Sequence, residues 1–99
     1  MRREVRVLRR AQNDLTETRD YVRRDRPAAA NRLVARLLSA IGSLERMPDR
    51  GALPRDRVLR ARGYRVLVVG DYLVFYRILA RQVRVYRVIH GRRRFRHLL

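Results

Sequence analysis

Residues Gly63 to Arg93, GYRVLVVGDYLVFYRILARQVRVYRVIHGRR, decide the fold. The stretch reads as three consecutive strands. Tyr64 to Val69 is apolar and β-branched, Tyr72 to Leu79 is rich in aromatic and branched residues, and Val83 to His90 alternates with period two. Gly70-Asp71 is a two-residue turn signal, since glycine reaches positive φ without steric cost. Ala80-Arg81-Gln82 is a short polar turn. Connections this short force antiparallel neighbours, so the stretch is a meander. Gly91 ends it, and Arg92, Arg93 and Arg94 follow at once.

Working outward towards the N-terminus, residues 48 to 62 form a polar connector with turn signals at Pro48-Asp49-Arg50-Gly51 and Pro54-Arg55-Asp56. Val58 and Leu59 are its candidate anchors. Before it, Pro27 to Met47 carries Ala30, Leu33, Val34, Leu37, Leu38, Ile41, Leu44 and Met47 at helical spacing. Pro27 suits the first turn of that helix, where a missing N–H costs nothing. Gly42 inside it suggests close approach to the sheet. Ala11 to Arg24 predicts a second helix, with Ala11, Leu15, Thr18 and Val22 as its stripe and Tyr21 widening it. Asp14 and Glu17 lie early in it and Arg23 and Arg24 late, the order that complements the helix dipole. Few residues separate the two helices, so they form an antiparallel hairpin. Glu4 to Leu8 alternates and reads as a short strand, joining the sheet at an edge. Phe95 to Leu99 is an amphipathic tail that can end in a helical turn. The expected order is β-α-α-β-β-β: an α+β fold with an antiparallel sheet packed against an αα-hairpin, in one domain over residues 1–99.

Charge narrows the function. The 99 residues carry 26 basic and 9 acidic side chains, a net charge of +17, and every basic residue is arginine. Such an excess implies an anionic partner, either nucleic acid or a strongly acidic protein. Without cysteine, disulfides and thiolate metal sites are excluded. MRREVRVLRR lacks the apolar core of a signal peptide. No apolar run approaches the roughly 20 residues of a membrane span, so the expected location is cytoplasmic.

Catalytic signals are few. His90 and His97 are the only histidines, too few for a metal site, and no cofactor is called for. Ser39 and Ser43 both fall on the long helix with no histidine and acid in sight. RNA cleavage by general acid–base chemistry is the serious chemical option, because it needs a titrating group and cations over a phosphate. His90 supplies the first, and Arg65, Arg77, Arg87, Arg92 and Arg93 supply the second. Arg77 and Arg87 also interrupt apolar strands, so they either pair with Asp14, Asp20 or Asp71 or serve a basic surface. Tyr64, Tyr72, Phe75, Tyr76 and Tyr86 either fill the core or stack on bases.

The chain resembles the ParE/RelE superfamily, the toxins of type II toxin–antitoxin modules. The likeness runs through Val5-Arg6-Val7-Leu8, Ala11, Asp14-Leu15, Asp20-Tyr21, Pro27, Ser43-Leu44-Glu45, Met47-Pro48 and Gly51. It continues through Gly63-Tyr64-Arg65, Tyr72-Leu73-Val74-Phe75-Tyr76 and Arg87-Val88-Ile89-His90-Gly91-Arg92-Arg93. This resemblance implies a growth-arresting toxin, held in a hetero-oligomer by a cognate antitoxin with an acidic wrapping segment. RelE-like members cleave mRNA on the ribosome, whereas ParE-like members inhibit DNA gyrase. Arg65 and Arg93 match basic positions of the nuclease set, and His90 can deputise as its titrating group. Leu73, however, stands where RelE-like nucleases commonly carry arginine, and the tail offers no tyrosine. The resemblance therefore implies a ParE-like toxin that binds gyrase without chemistry of its own. Arg65, Arg77, Arg87, Arg92 and Arg93 are the expected target- or antitoxin-binding residues. The rivals are a ribosome-dependent endonuclease, with Arg65, His90 and Arg93 catalytic, and a basic nucleic-acid-binding module.

Overall fold

In the computed structural model, which describes residues 2–99, the meander forms as the sequence predicts. Strand β2 is Tyr64–Val69, β3 is Tyr72–Ile78 and β4 is Gln82–His90. Gly70 takes φ +58° in the β2–β3 turn. The N-terminal strand β1, Glu4–Val7, adds at the edge in the order β1-β4-β3-β2. It pairs parallel to β4, Glu4 opposite Gln82 and Val7 opposite Val85, because a helical hairpin intervenes and carries the chain back over the sheet. An extra residue, Tyr86, bulges from β4: Phe75 faces Arg87, and Tyr76 faces Val85.

Helix α1 is Arg9–Arg23 and α2 is Pro27–Gly42, packed as an antiparallel pair on one face of the sheet. Ala11, Leu15, Leu37, Ala40, Ile41 and Leu44 meet Leu67, Val69, Val74, Tyr76, Val83, Val85 and Val88 in the main core. None of the helices among the described residues is long and apolar enough to cross a membrane.

Several sequence expectations change. Helix α1 starts at Arg9, so neither acidic residue lies in its first turn. Asp14 points inward and is buried, so its role is not to complement the dipole. Tyr21 does not widen the buried stripe: it is 71% exposed. Helix α2 stops at Gly42, and a 3-10 turn, Ser43–Glu45, follows. Met47 lies beyond that stop and is exposed, and Leu38, within the helix, is exposed as well. Gly42 meets no atom within 4 Å of where a Cβ would stand, so it approaches nothing. The connector is more structured than its polarity suggested. A 3-10 turn spans Pro48–Arg50, Ala52 bridges Val66, and a short helix α3, Arg57–Ala61, starts where the Asp56 carboxylate accepts the N–H groups of Val58 and Leu59. Leu59 is its buried anchor, while Val58 is exposed.

The sheet's second face is also covered. Tyr64, Phe75 and Ile89 join Leu59 beneath the tail residues Phe95, Leu98 and Leu99. The tail ends in a 3-10 turn, Arg96–Leu98. Arg96 Nε donates to Asp56 Oδ2 at 2.6 Å and fastens it to α3. That bond is the main reason the Asp56 carboxyl is held below the usual carboxylate range.

Candidate functional site

The candidate residues reach four different places. Arg87 is the one the fold consumes. It is 5% exposed, and its guanidinium clasps Asp14 with two bonds, Nε to Oδ2 at 2.8 Å and Nη2 to Oδ1 at 2.9 Å. Strand β1 has ended by this point, which leaves the edge of β4 open. Asp14 Oδ2 fills the gap by accepting the N–H of Val88 at 2.9 Å. Arg87 Nη1 donates onward to Leu98 O at 3.2 Å, so one ion pair ties α1, β4 and the tail together. The hydrogen bond to Asp14 outweighs burial and pushes the Arg87 pKa up. Arg87 therefore leaves the expected basic surface: a guanidinium satisfied by a buried carboxylate has no face for a partner.

Arg65 sits at the start of β2 on the helix side, opposite Tyr76. Its Nη2 donates to the carbonyls of Asp49 at 3.3 Å and Gly51 at 2.9 Å. Tyr76, fully buried, completes the same junction: its hydroxyl donates to Pro48 O at 2.6 Å and accepts the Gly51 N–H at 2.9 Å. Gly51 has to be glycine there, because a Cβ would stand 2.6 Å from that hydroxyl and 2.7 Å from Val66 O. Arg77 lies on the opposite face, half-buried, with Nη1 donating to the Tyr86 hydroxyl at 3.4 Å.

His90, Arg92 and Arg93 do come together, at the end of β4. Nδ1 of His90 accepts the Arg92 N–H at 3.1 Å, and its ring meets Tyr72 edge-on at 5.2 Å. Accepting through Nδ1 places the ring proton of the neutral form on Nε2. A cleft of about 450 Å³ opens beside them, lined by His90, Arg93, Tyr72, Val88 and Ile89 from the sheet side. Helix α1 supplies the other wall with Asp14, Glu17, Thr18, Asp20, Tyr21 and Arg24. Burial, with Asp71 and Tyr21 nearby, raises the Tyr72 phenol above its ordinary pKa. The α1 wall was missed from sequence. Its signal was present, since Glu17, Tyr21 and Arg24 follow one another at i, i+4 and i+7 on one helix face.

Arg65 does not reach this cleft. Its β3 partner is Tyr76, whereas that of His90 is Tyr72. Four residues along the strand and two strand spacings across put the two backbones about 16 Å apart. Among the described residues no group of three His, Asp or Glu side chains is placed to hold a metal ion.

Fold and site together define a small, strongly basic α+β protein that presents a charged cleft at the end of its sheet. The chain belongs to the ParE toxin family of type II toxin–antitoxin systems, parDE, whose profile matches residues 5–95. It is similar to the toxin RelE2 of Caulobacter vibrioides, 36% identical over 84 residues, covering 85% of this chain and 90% of that one. It is also similar to the putative toxin Y4kP of Sinorhizobium fredii, 34% identical over 100 residues, covering 99% and 98%. Among solved structures, a chain of the chromosomal ParDE system from P. aeruginosa superposes with a TM-score of 0.76 at 19% identity, covering 89% of this chain and 95% of that one. One from the RelBE2 toxin–antitoxin complex of Mycobacterium tuberculosis superposes with a TM-score of 0.67 at 26% identity, covering 91% and 99%.

Proposed function

We propose that this toxin arrests growth by binding DNA gyrase, without chemistry of its own, and that a cognate acidic antitoxin neutralises it in a hetero-oligomer. The observation that carries the target assignment is the dispersal of the nuclease candidates. RNA cleavage needs a general base or acid and its cations within hydrogen-bond reach of one phosphate. Arg65 stands about 16 Å from His90 along the sheet and is committed to two backbone carbonyls. The cleft beside His90 also carries Glu17 and Asp20, whose charges repel a phosphate. The ParE match over residues 5–95 points the same way. Arg92 and Arg93, exposed at the end of β4, are the binding residues this reading favours; Arg65, towards the other end of the sheet, and Arg77, on its other face, stand apart from them. An acidic antitoxin suits the net charge of +17, and both structural relatives come from toxin–antitoxin systems.

The second reading, a ribosome-dependent endonuclease, is favoured by the similarity to a toxin named RelE2. Pulse-labelling after induction without antitoxin separates the two. Thymidine incorporation falls before methionine incorporation if gyrase is the target. An earlier fall in methionine incorporation makes His90 and Arg93 an RNA-cleaving pair and overturns the gyrase reading. Reversing Arg92 and Arg93 to glutamate abolishes toxicity with the fold intact; undiminished killing removes them from the target surface.

A further inference from the structure

One row of side chains crosses the whole sheet on the face turned away from α1 and α2. In it Arg6 of β1 lies opposite Arg84 of β4, Arg84 opposite Arg77 of β3, and Arg77 opposite Tyr64 of β2. Alternation fixes the face. The sequence neighbours of the three arginines, Val5, Val7, Tyr76, Ile78, Val83 and Val85, all pack into the helix-side core. On the other side Arg6 and Arg84 are exposed and Arg77 is half-buried. Strands stand about 4.8 Å apart, so the row runs about 14 Å across the sheet.

Like charges directly opposite one another destabilise a sheet, and here three arginines adjoin. None of them forms an ion pair among the described residues. Glu4 lies on the same face, opposite Gln82, and is not paired with them. Their hydrogen-bond partners are neutral. Arg77 Nη1 donates to the Tyr86 hydroxyl at 3.4 Å, and Arg84 Nε donates to the Gln82 side-chain oxygen. These bonds aim the guanidinium groups and leave their charge uncompensated. The basic surface continues beyond the row. Arg10 borders a small hollow beside Tyr64 and Tyr86. Burial, helped by Tyr86, raises the Tyr64 phenol above its ordinary pKa, and Arg77 and Arg62 beside it oppose the rise.

What the face offers decides the ligand. Strand β4 is paired on both sides, by β1 and β3, and β3 by β4 and β2. The middle of the row therefore has no free backbone groups with which to pair a peptide strand. Its aromatic rings are closed as well: Tyr64 is 7% exposed and meets Tyr86 edge-on at 5.3 Å. A single-stranded nucleic acid is held by stacking its bases on open rings, and this row has none to give. It gives a line of guanidinium forks, each suited to bidentate contact with a phosphate. A duplex presents phosphates in a regular line on its outside and keeps its base faces within.

We propose that the row Arg6, Arg84 and Arg77 grips the sugar–phosphate backbone of a nucleic-acid duplex without reading its sequence. The inference goes beyond the target assignment and does not rest on it, since the contact needs neither gyrase nor the ribosome.

The test titrates the full chain into a short fluorophore-labelled DNA duplex, read by anisotropy from about 50 to 200 mM salt. Each phosphate contact contributes about 0.9 to the slope of log K against log salt. The triple variant Arg6→Ala/Arg77→Ala/Arg84→Ala makes that slope shallower by about 2 to 3 and weakens binding at least about tenfold at the low-salt end. The charge-matched control Arg32→Ala/Arg36→Ala/Arg46→Ala removes exposed arginines from α2 and the turn after it, and changes the slope by less than about one. Should the triple variant not fold, as read by circular dichroism, Arg6→Ala/Arg84→Ala alters only exposed side chains and makes the slope shallower by about 2. A second duplex of unrelated sequence binds within about threefold of the first, because phosphate contacts carry no sequence information. Equal loss of slope in the control overturns the proposal in favour of bulk charge. A single strand of the same length that binds as tightly through the same three arginines overturns the assignment to a duplex. An acidic peptide of matched charge that displaces the duplex through those arginines makes a protein the occupant and overturns it too.

Discussion

The two faces of the sheet are covered in different ways. On one face, two helices of 15 and 16 residues bury a continuous apolar core. On the other, a five-residue tail covers Tyr64, Phe75 and Ile89 with half-buried side chains and one surface ion pair. The first face holds because burial is extensive and the cost of ordering is spread over regular helices. The second holds by few contacts, several of them exposed. Local opening therefore belongs to the tail, and global unfolding to the helix face.

The largest effect expected from breaking this arrangement falls on the ion pair that joins both faces. Asp14→Ala strips Arg87 of its partner inside the protein and frees the Val88 N–H, and costs about 3–5 kcal/mol by denaturant unfolding. A loss under about 1 kcal/mol would mean that Arg87 finds water on its own. Leu37→Ala, a fully buried side chain on the helix face, costs about 3 kcal/mol. Phe95→Ala on the tail face costs about 1 kcal/mol, since Phe95 is half-buried and stacks on Phe75 at a 5.0 Å centroid distance. Equal losses for Leu37 and Phe95 would erase the contrast between the faces.

The smallest effect is a response to acid. Asp56 has a lowered pKa in the folded state, so its contribution is present above the ordinary carboxylate range. That contribution is lost as pH falls through the lowered value. Below about pH 4 the tail loosens before the helix face does. The protection factors of the Leu98 and Leu99 amides, which bond to Phe95 O and Arg96 O, report it, and Asp56→Asn makes those protection factors independent of acid.

The meander was legible because alternation and turn chemistry act locally: β2 has the bounds its sequence predicts, and Gly70 makes its turn. Short α3 was not legible, since its five residues carry one buried side chain and only Asp56 marks its start. For Arg87, pairing with Asp14 was one of two readings open from sequence. Choosing between them needed the bulge at Tyr86 and the end of β1 at Val7, both tertiary facts. The candidate site was half legible. His90, Arg92 and Arg93 are neighbours in sequence and remain so in space, whereas the helical wall opposite them depends on how α1 is rotated over β4. Arg65 looked like their companion because sequence order says nothing about position along a strand.

The parallel pairing of β1 with β4 also sets the order of events during synthesis. Glu4 pairs with Gln82, far along the chain from it. At about 5–20 residues per second, the first strand is made roughly 4–16 s before its partner. The sheet cannot close, and Asp14 cannot meet Arg87 and Val88, until β4 has been made. A chain that has not yet reached β4 therefore lacks both its closed sheet and the ion pair that ties α1 to it.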